Sequence, residues 1–529
     1  MPSQLSYPGV YVEEIPSGVR TIAAVATSIT AFIGRAAKGP TDVPVTITSF
    51  GDFERKFGGL WKDSTMSYAV RDFYLNGGSL AVIVRIHKDA VAATLTIKDA
   101  ADAADLAILQ ASSAGAWGNK LSIGINHNIE DPTAPPPDDD DTPPTTGFFN
   151  LIVYQKDAEG KNIKVEEHLN VSFDKDETRY LPKVLENYST LLKIETEVVM
   201  GDPAGIPAVD DSPPALENGN DGTDASDDEY KTGLDNLKQI DLFNLLCIPP
   251  PSRSSDPTKG ANTSTAVYDH ALAICNEERA ILLVDSPIDW GTTQSSATEN
   301  AKNGLSSLGF SGTAARNAAI YFPRVLQQDP LSENQVDTFV ACGIIAGAIS
   351  RNDTQRGIWK SPAGTEVGLN GIVGLQANLN DLENGQLNPL GINCLRNLPG
   401  IGRVVWGART LRGADILADE YKYLAVRRML LFLQESLYRG LQWVVFEPND
   451  EPLWASIRLN VGAFMNGLYR QGAFQGKKKD AYFVKCDSET TTQTDINSGI
   501  VNIVVGFAPL KPAEFVVIKF QQMAGQIDT

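Results

Sequence analysis

The chain has 529 residues, 42% of them hydrophobic and 21% charged, with a formal net charge of −20. That length gives room for about three or four domains of ordinary soluble type. No apolar run reaches the roughly 18 residues of a membrane span, so no direct membrane insertion is expected. The start, Met-Pro-Ser-Gln-Leu-Ser-Tyr-Pro-Gly, lacks a basic stretch followed by an apolar one, so no secretory signal is expected.

The charge is concentrated in one block. Residues 99–235 carry 9 basic and 29 acidic side chains, whereas residues 1–98 carry 10 and 8, residues 236–395 carry 10 and 15, and residues 396–529 carry 16 and 13. A single acidic block of this kind suggests a solvated, outward-facing insertion and argues against nucleic acid as a partner. Cys247, Cys275, Cys342, Cys394 and Cys486 are scattered without a C-x-x-C motif, which suggests buried, reduced thiols made in a reducing cytosol.

In chain order, residues 1–40 form an N-terminal arm and a first core strand. The run Val10, Tyr11, Val12, Glu13, Glu14, Ile15 is a β-prone stretch bracketed by prolines, with no hairpin partner nearby. Thr27–Ile33 follows as a buried strand. Residues 41–98 give a compact α/β piece with a helix near Gly51, a helix over Tyr68–Leu75 stopped by Asn76-Gly77-Gly78, and an apolar strand at Ala81–Ile86.

Residues 99–235 are the acidic insertion. Strands are expected at Leu121–Ile125 and Phe148–Tyr154 and a helix over Leu181–Leu192, between loose stretches at Asp131–Pro144 and Gly201–Asp228. Residues 236–395 resume an α/β rhythm. Strands at Leu242–Ile248, Ala280–Val284 and Ala318–Tyr321 alternate with helices at Ala266–Arg279, Thr298–Leu308 and Ser332–Ser350, the pattern of a largely parallel sheet.

Residues 396–513 read as an α+β unit. It has a strand at Arg403–Trp406, a long helix over Tyr421–Gly440, a second helix opened by Asn449-Asp450-Glu451-Pro452, and strands at Ala481–Lys485 and Ile500–Phe507. Pro509 and Pro512 then make a stiff spacer before a last β-prone run, Phe515, Val516, Val517, Ile518, Lys519, Phe520, within the arm 514–529. No tight-turn dipeptide joins the two runs, so the last one needs a sheet edge elsewhere. The fold class is thus α/β (mixed α+β) and multidomain, with extended arms at both ends.

Catalytic signals are weak. His87, His127, His168 and His270 form no zinc-binding motif, and no nucleophile elbow occurs. The glycine-rich Gly304–Gly312 stretch follows a helix and matches no phosphate loop. Asp285 ends a strand where α/β enzymes place catalytic groups, but Ser-Pro after it favours a turn cap. Asp138–Asp141 lacks the spaced ligands of a calcium loop and reads as a solvated run. Trp406, Trp443 and Trp454 read as core. No cofactor or metal is expected, and a non-enzymatic protein is the reading. Two unpaired terminal strands are the pattern of subunits that exchange strands.

Several blocks together resemble the tail sheath proteins of contractile-tailed phages and contractile injection systems. They are Tyr7–Glu14, Thr27–Gly34, Gly357–Gly364, Leu398–Gly400 leading into Val405–Thr410, Gly440–Asn449 and Phe507–Phe515. The resemblance covers residues 1–95 and about 350–529, not 99–235. It implies a structural subunit in stacked six-membered rings around an inner tube, a virion or injection-particle component that contracts to drive the tube through a target envelope. It implies an acceptor sheet built on Tyr482, Phe483, Val484, Ile500, Val501, Ile503 and Val505, joined by the two arms of neighbouring copies. Partners implied are other copies of the chain, the inner tube protein, and baseplate, tail-terminator or cap proteins, with the chain made in the bacterial cytoplasm and assembled into a phage tail or contractile injection particle. The basic residues Lys422, Arg427, Arg428, Arg458, Arg470, Lys477, Lys478 and Lys479 are the candidates to face an acidic tube. The alternatives are a tube or baseplate component of the same machine, or an α/β enzyme using Asp285 or the glycine-rich loop.

Overall fold

A computed structural model describes residues 20–41, 43–100, 104–129, 147–157, 159–197, 206–209, 212–253 and 260–519. Its centre is an eight-stranded sheet. The spatial order is Gly402–Val405, Ile392–Leu398, Ala318–Phe322, Ile281–Asp285, Leu245–Cys247, Thr30–Gly34, Ala81–Arg85 and Val45–Ile47. The inner strands are all parallel, and the outermost strand on each side pairs antiparallel.

Alternate residues feed two separate cores. Phe32, Ile83, Leu283 and Tyr321 enter one, with helices Thr65–Leu75 and Cys342–Arg356. Ala31, Ile33, Val84, Leu282 and Ile320 enter the other, with helices Asp227–Asn236, Thr265–Glu277 and Ala297–Gly304. Covering both faces is why these strands are continuously apolar in sequence. The helix pair on the first face touches backbone to backbone: a Cβ on Gly343 would lie 2.0 Å from the Ala69 carbonyl oxygen. Asp285 holds the start of helix Cys342–Arg356, its Oδ1 accepting the amides of Ala341 and Cys342 at 2.9 Å each. It therefore caps a helix from elsewhere in the chain rather than its own Ser-Pro turn, and burial raises its carboxyl pKa.

The helix expected over Ser332–Ser350 is instead a hairpin followed by a helix. Val325–Asp329 pairs antiparallel with Gln335–Phe339, and the helix begins only at Cys342. Asp329 takes the Leu331 amide at 2.9 Å and the Ser332 hydroxyl at 3.0 Å, while Glu333 and Asn334 adopt positive φ of 53° and 59°. A side-chain-built turn thus replaces the glycine turn that would have flagged a hairpin.

The chain leaves the central sheet at Arg85 and returns at Leu245, on either side of Thr30–Gly34. Between them lie two three-stranded antiparallel sheets: Thr94–Lys98, Asp105–Ala111, Leu192–Glu197, and Leu121–Asn126, Phe148–Lys156, Asn162–Ser172. They enclose their own core, including Leu109, Ile123, Phe149, Leu151 and Phe173. The boundary expected at 98/99 is therefore too late, since Thr94–Lys98 already pairs within this unit. The expected Leu181–Leu192 helix ends at Tyr188, and Leu192 starts a strand. Asp138–Asp141 lies outside the described residues.

Arg85 ties this unit to the body. Its buried guanidinium donates to the carbonyls of Ala36 (2.9 Å), Gly39 (2.6 Å) and Ala114 (2.6 Å), and burial pushes its pKa down to about 10.

The boundary expected at 395/396 also moves. It cuts strand Ile392–Leu398, and the central sheet continues to Val405. Beyond it, helices Leu424–Gly440 and Glu451–Arg470 pack through Met429, Phe432, Leu433, Trp454, Ile457 and Val461. Asp450 caps the second, accepting the Leu453 amide at 3.1 Å.

The incoming segment Arg20–Thr27 runs across these helices. The Arg20 amide donates to Asn460 Oδ1 (3.0 Å), the Val25 amide to Ser436 Oγ (3.3 Å) and the Thr27 hydroxyl to Asp353 (2.8 Å). All five cysteines are buried and unpaired.

Candidate functional site

The features that point outward are at the C-terminal end. Strand Tyr482–Lys485 pairs antiparallel with Val504–Phe507 in the register Tyr482–Phe507, Phe483–Gly506, Val484–Val505 and Lys485–Val504. The inner face sits on the helix pair: Tyr482 packs near Tyr469 (6.3 Å) and Phe474 (6.1 Å), and Phe507 near Phe474 (5.9 Å). On the outer face Phe483 lies over Gly506, where a Cβ would come 2.2 Å from its ring. Glycine is needed there so that the aromatic ring can cover the neighbouring strand.

Among the described residues this sheet has two strands only, so both its outer edges carry unpaired backbone groups. The resident strand expected over Ile500–Phe507 is shorter than its sequence suggests. Ile500, Val501 and Ile503 precede it without strand pairing, and pairing starts at Val504. The reason is local: the Asn502 amide goes to the Thr491 hydroxyl (3.0 Å) and the Ile500 carbonyl to Asn449 (3.0 Å), which bends the chain along the helix pair.

After Phe507 the chain stays close to its own body for seven residues. The Ala508 amide donates to the Ala481 carbonyl (2.8 Å) and the Ala508 carbonyl accepts the Gln475 amide (3.0 Å). Leu510, Pro512 and Glu514 are half-buried while Lys511 and Ala513 are exposed, the period of an extended segment lying on a surface. The segment borders a groove of about 630 Å³ shared with Trp359, Trp406 and Gly407.

Glu514 is gripped by Arg409, whose side chain is 0% exposed: Nε reaches Oε1 at 2.8 Å and Nη2 reaches Oε2 at 2.5 Å. Arg409 Nη1 goes to the Gly413 carbonyl (3.2 Å) and Asp415 (3.0 Å). Burial works to lower the Arg409 pKa, but the Glu514 and Asp415 carboxylates outweigh it and the net shift is upward. Beyond this grip Phe515, Val516, Val517 and Ile518 are 76%, 81%, 78% and 70% exposed and make no strand. Val10–Ile15 and Phe520 lie outside the described residues.

The eight basic candidates divide. Arg428 is buried, donating to Asp353 Oδ1 and the Thr27 carbonyl, both at 2.9 Å, so its expected outward role is corrected to an internal tie. Arg427 donates to Asn317 (2.8 Å) and lies over the Tyr421 ring, also inward. Lys422 pairs with Asp415 at 2.5 Å and Arg458 with Glu451 at 2.5 Å. Arg470, Lys477, Lys478 and Lys479 are exposed. Basic character alone does not show that Arg427 and Arg428 point inward, because their partners come from residues about 75 to 110 positions away.

As for chemistry, Asp285 is buried under its helix, and no group of three or more His, Cys, Asp or Glu among the described residues is placed to hold a metal. No helix there is long and apolar enough to cross a membrane.

The architecture is that of sheath proteins from contractile machines. The fold is similar to the helical sheath of the anti-feeding prophage in its contracted state (22% identity, 98% of this chain and 100% of that one, TM-score 0.57). It is similar to the PVC sheath complex of an extracellular contractile injection system in its contracted state (20% identity, 98% of each chain, TM-score 0.57). A sheath tail protein of Listeria innocua gives 14% identity, 93% and 96% coverage and a TM-score of 0.59.

In sequence, residues 224–411 match the phage tail sheath protein central domain and residues 418–523 the phage tail sheath C-terminal domain, together more than half the chain. A tail sheath protein of Vibrio phage KVP40 is 26% identical over 181 residues, 34% of this chain and 26% of that relative's length. The chain belongs to the contractile tail sheath protein family. This family is one of structural sheath proteins, and the chain carries its central and C-terminal domains.

Proposed function

We propose that this subunit polymerises as stacked six-membered rings around an inner tube and that contraction of the polymer drives the tube outward. The two-stranded sheet with open edges, next to an exposed apolar run, is the observation that carries this reading. Phe515–Phe520 of one copy adds to the sheet of a second, and Val10–Ile15 adds from a third, around the resident strands Tyr482–Lys485 and Val504–Phe507. Main-chain hydrogen bonds supply the grip and alternation of side chains sets the register.

Rigid bodies then move while the arms stay hooked, with no nucleotide required. A few kcal/mol released per subunit, about the scale of an interface rearrangement, sums over many copies. The exposed Arg470 and Lys477–Lys479 are the cations left to meet an acidic tube surface. Baseplate and cap proteins close the ends of the polymer.

Electron microscopy of purified protein tests this directly. Intact chain is expected to give tubes or ringed polymers, and chain lacking residues 515–529 is expected to stay folded and unassembled. A monomer indifferent to loss of either arm overturns the reading.

A further inference from the structure

The C-terminal segment does not become free where its strand ends. It ends in pairing at Phe507, is laid against its own body through Glu514, and is exposed from Phe515. The transition coincides with the carboxylate of Glu514, where Arg409 is the nearest cation and Lys422 Nζ lies 3.9 Å away. Arg409 presents its planar fork to both oxygens of Glu514, an orientation that a point charge such as lysine cannot impose. The fork cannot swing, because its remaining nitrogen is held by the Gly413 carbonyl and Asp415, and the whole side chain is inside the protein. Tyr423 Oη, 3.4 Å from Oε2, closes the third side. A charge-assisted, two-pronged bond to a buried, pre-oriented partner holds position far better than the apolar contacts of the flanking Ala513 and Phe515, both exposed.

We propose that Arg409 and Glu514 form a same-chain clamp that fixes where the C-terminal arm leaves the subunit. The span that reaches a second copy then starts at Phe515, and its direction is set by the clamp rather than by the prolines upstream. This rests on the strand-donating reading above. Arg409 and Glu514 are positioning residues: the clamp makes no contact with the second copy and instead aims the segment that does.

Nitroxide labels on Ala513→Cys and Val517→Cys in the full-length chain, with the native buried cysteines retained, test the clamp by electron paramagnetic resonance. Label 513 is expected to be immobilised and label 517 mobile in the unassembled subunit. Glu514→Gln, which keeps the shape but removes the charge, is expected to mobilise label 513 to the level of 517 while the body stays folded. In electron micrographs the same variant is expected to give shorter and less ordered polymers. A label at 513 that is already as mobile as 517, or that is unmoved by Glu514→Gln, overturns the clamp. So does a mobilised arm whose polymers match wild type in length and order. If the unsubstituted chain fails to polymerise, the strand-donating reading falls, while the label mobilities still decide whether the clamp exists.

Discussion

The central sheet and the C-terminal strand pair treat the same backbone chemistry in opposite ways. In the central sheet every inner strand is paired on both sides, both faces are buried, and short antiparallel strands, Val45–Ile47 and Gly402–Val405, finish the edges. In the C-terminal pair one face is buried, Phe483 and Val504 are about half exposed, and neither edge is closed among the described residues. Pairing runs through eight strands in the first and stops at two in the second. The difference separates a body that has to stay rigid from a rim that joins to something else.

This contrast can be broken most severely at the tie between body and rim. Arg428 and Asp353 are 2% and 4% exposed, and they join helices Leu424–Gly440 and Cys342–Arg356 to Thr27. Asp353→Ala leaves a buried cation unpaired and is expected to cost about 3–5 kcal/mol in chemical denaturation. A loss within that of an ordinary surface site would mean body and rim are not coupled there.

Next in size is Gly343→Ala, where the new methyl would meet the Ala69 carbonyl oxygen at 2.0 Å. Helix separation is expected to cost about 1–3 kcal/mol, read as a lowered unfolding midpoint.

The insertion sharpens the comparison through pH. Burial alone would raise the Glu166 carboxyl, but the nearby His168 ring (3.5 Å) and hydrogen bonds from the Ser189 hydroxyl and the Thr190 amide and hydroxyl outweigh it and hold its pKa at about 2. A depressed folded-state value means its stabilisation is complete above the unfolded value of about 4.3 and is lost as pH falls through 2. Hydrogen exchange over residues 162–172 is expected to accelerate in that window, and Glu166→Gln is expected to flatten the response.

Smallest for the isolated subunit is Phe483→Ser on the outer face of the strand pair. Stability is expected to change by no more than about 0.5 kcal/mol in a denaturant titration. Assembly seen by light scattering is nevertheless expected to fall, because the covered strand surface at Gly506 is lost. A large stability loss here would make the rim part of the body after all.

What was legible in the sequence follows the same division. The strands at Ala81, Ile281 and Ala318 were readable because burial on both faces leaves an unbroken apolar run, and the helix at Glu451 because Asp450 and Pro452 mark its start. The Val325–Phe339 hairpin was hidden because its turn is made by Asp329 with non-glycine residues at positive φ. Strand Asn162–Ser172 was hidden because it is an edge strand whose alternation is broken by the doubled Glu166-Glu167 and whose pairing shifts register there. The C-terminal run after Pro512 reads as β-prone but makes no strand within the subunit at Phe515–Ile518, and the N-terminal run Val10–Ile15 lies outside the described residues. The anchor of the C-terminal run was not readable, since Glu514 meets Arg409 across 105 residues and no local pattern marks such a pair.

The placement of Arg20–Thr27 has a mechanical consequence. Ile22 and Val25 pack in the same core as Val505 and Phe507, so the described chain enters and leaves through one small helical unit. Tension applied between its two ends would shear the contacts of helices Leu424–Gly440 and Glu451–Arg470, in parallel and over a short path. A pull on Phe515 would also enter at Arg409, whose amide and carbonyl are bonded to Asn393 of strand Ile392–Leu398, so the edge of the central sheet shares the load with the helical unit.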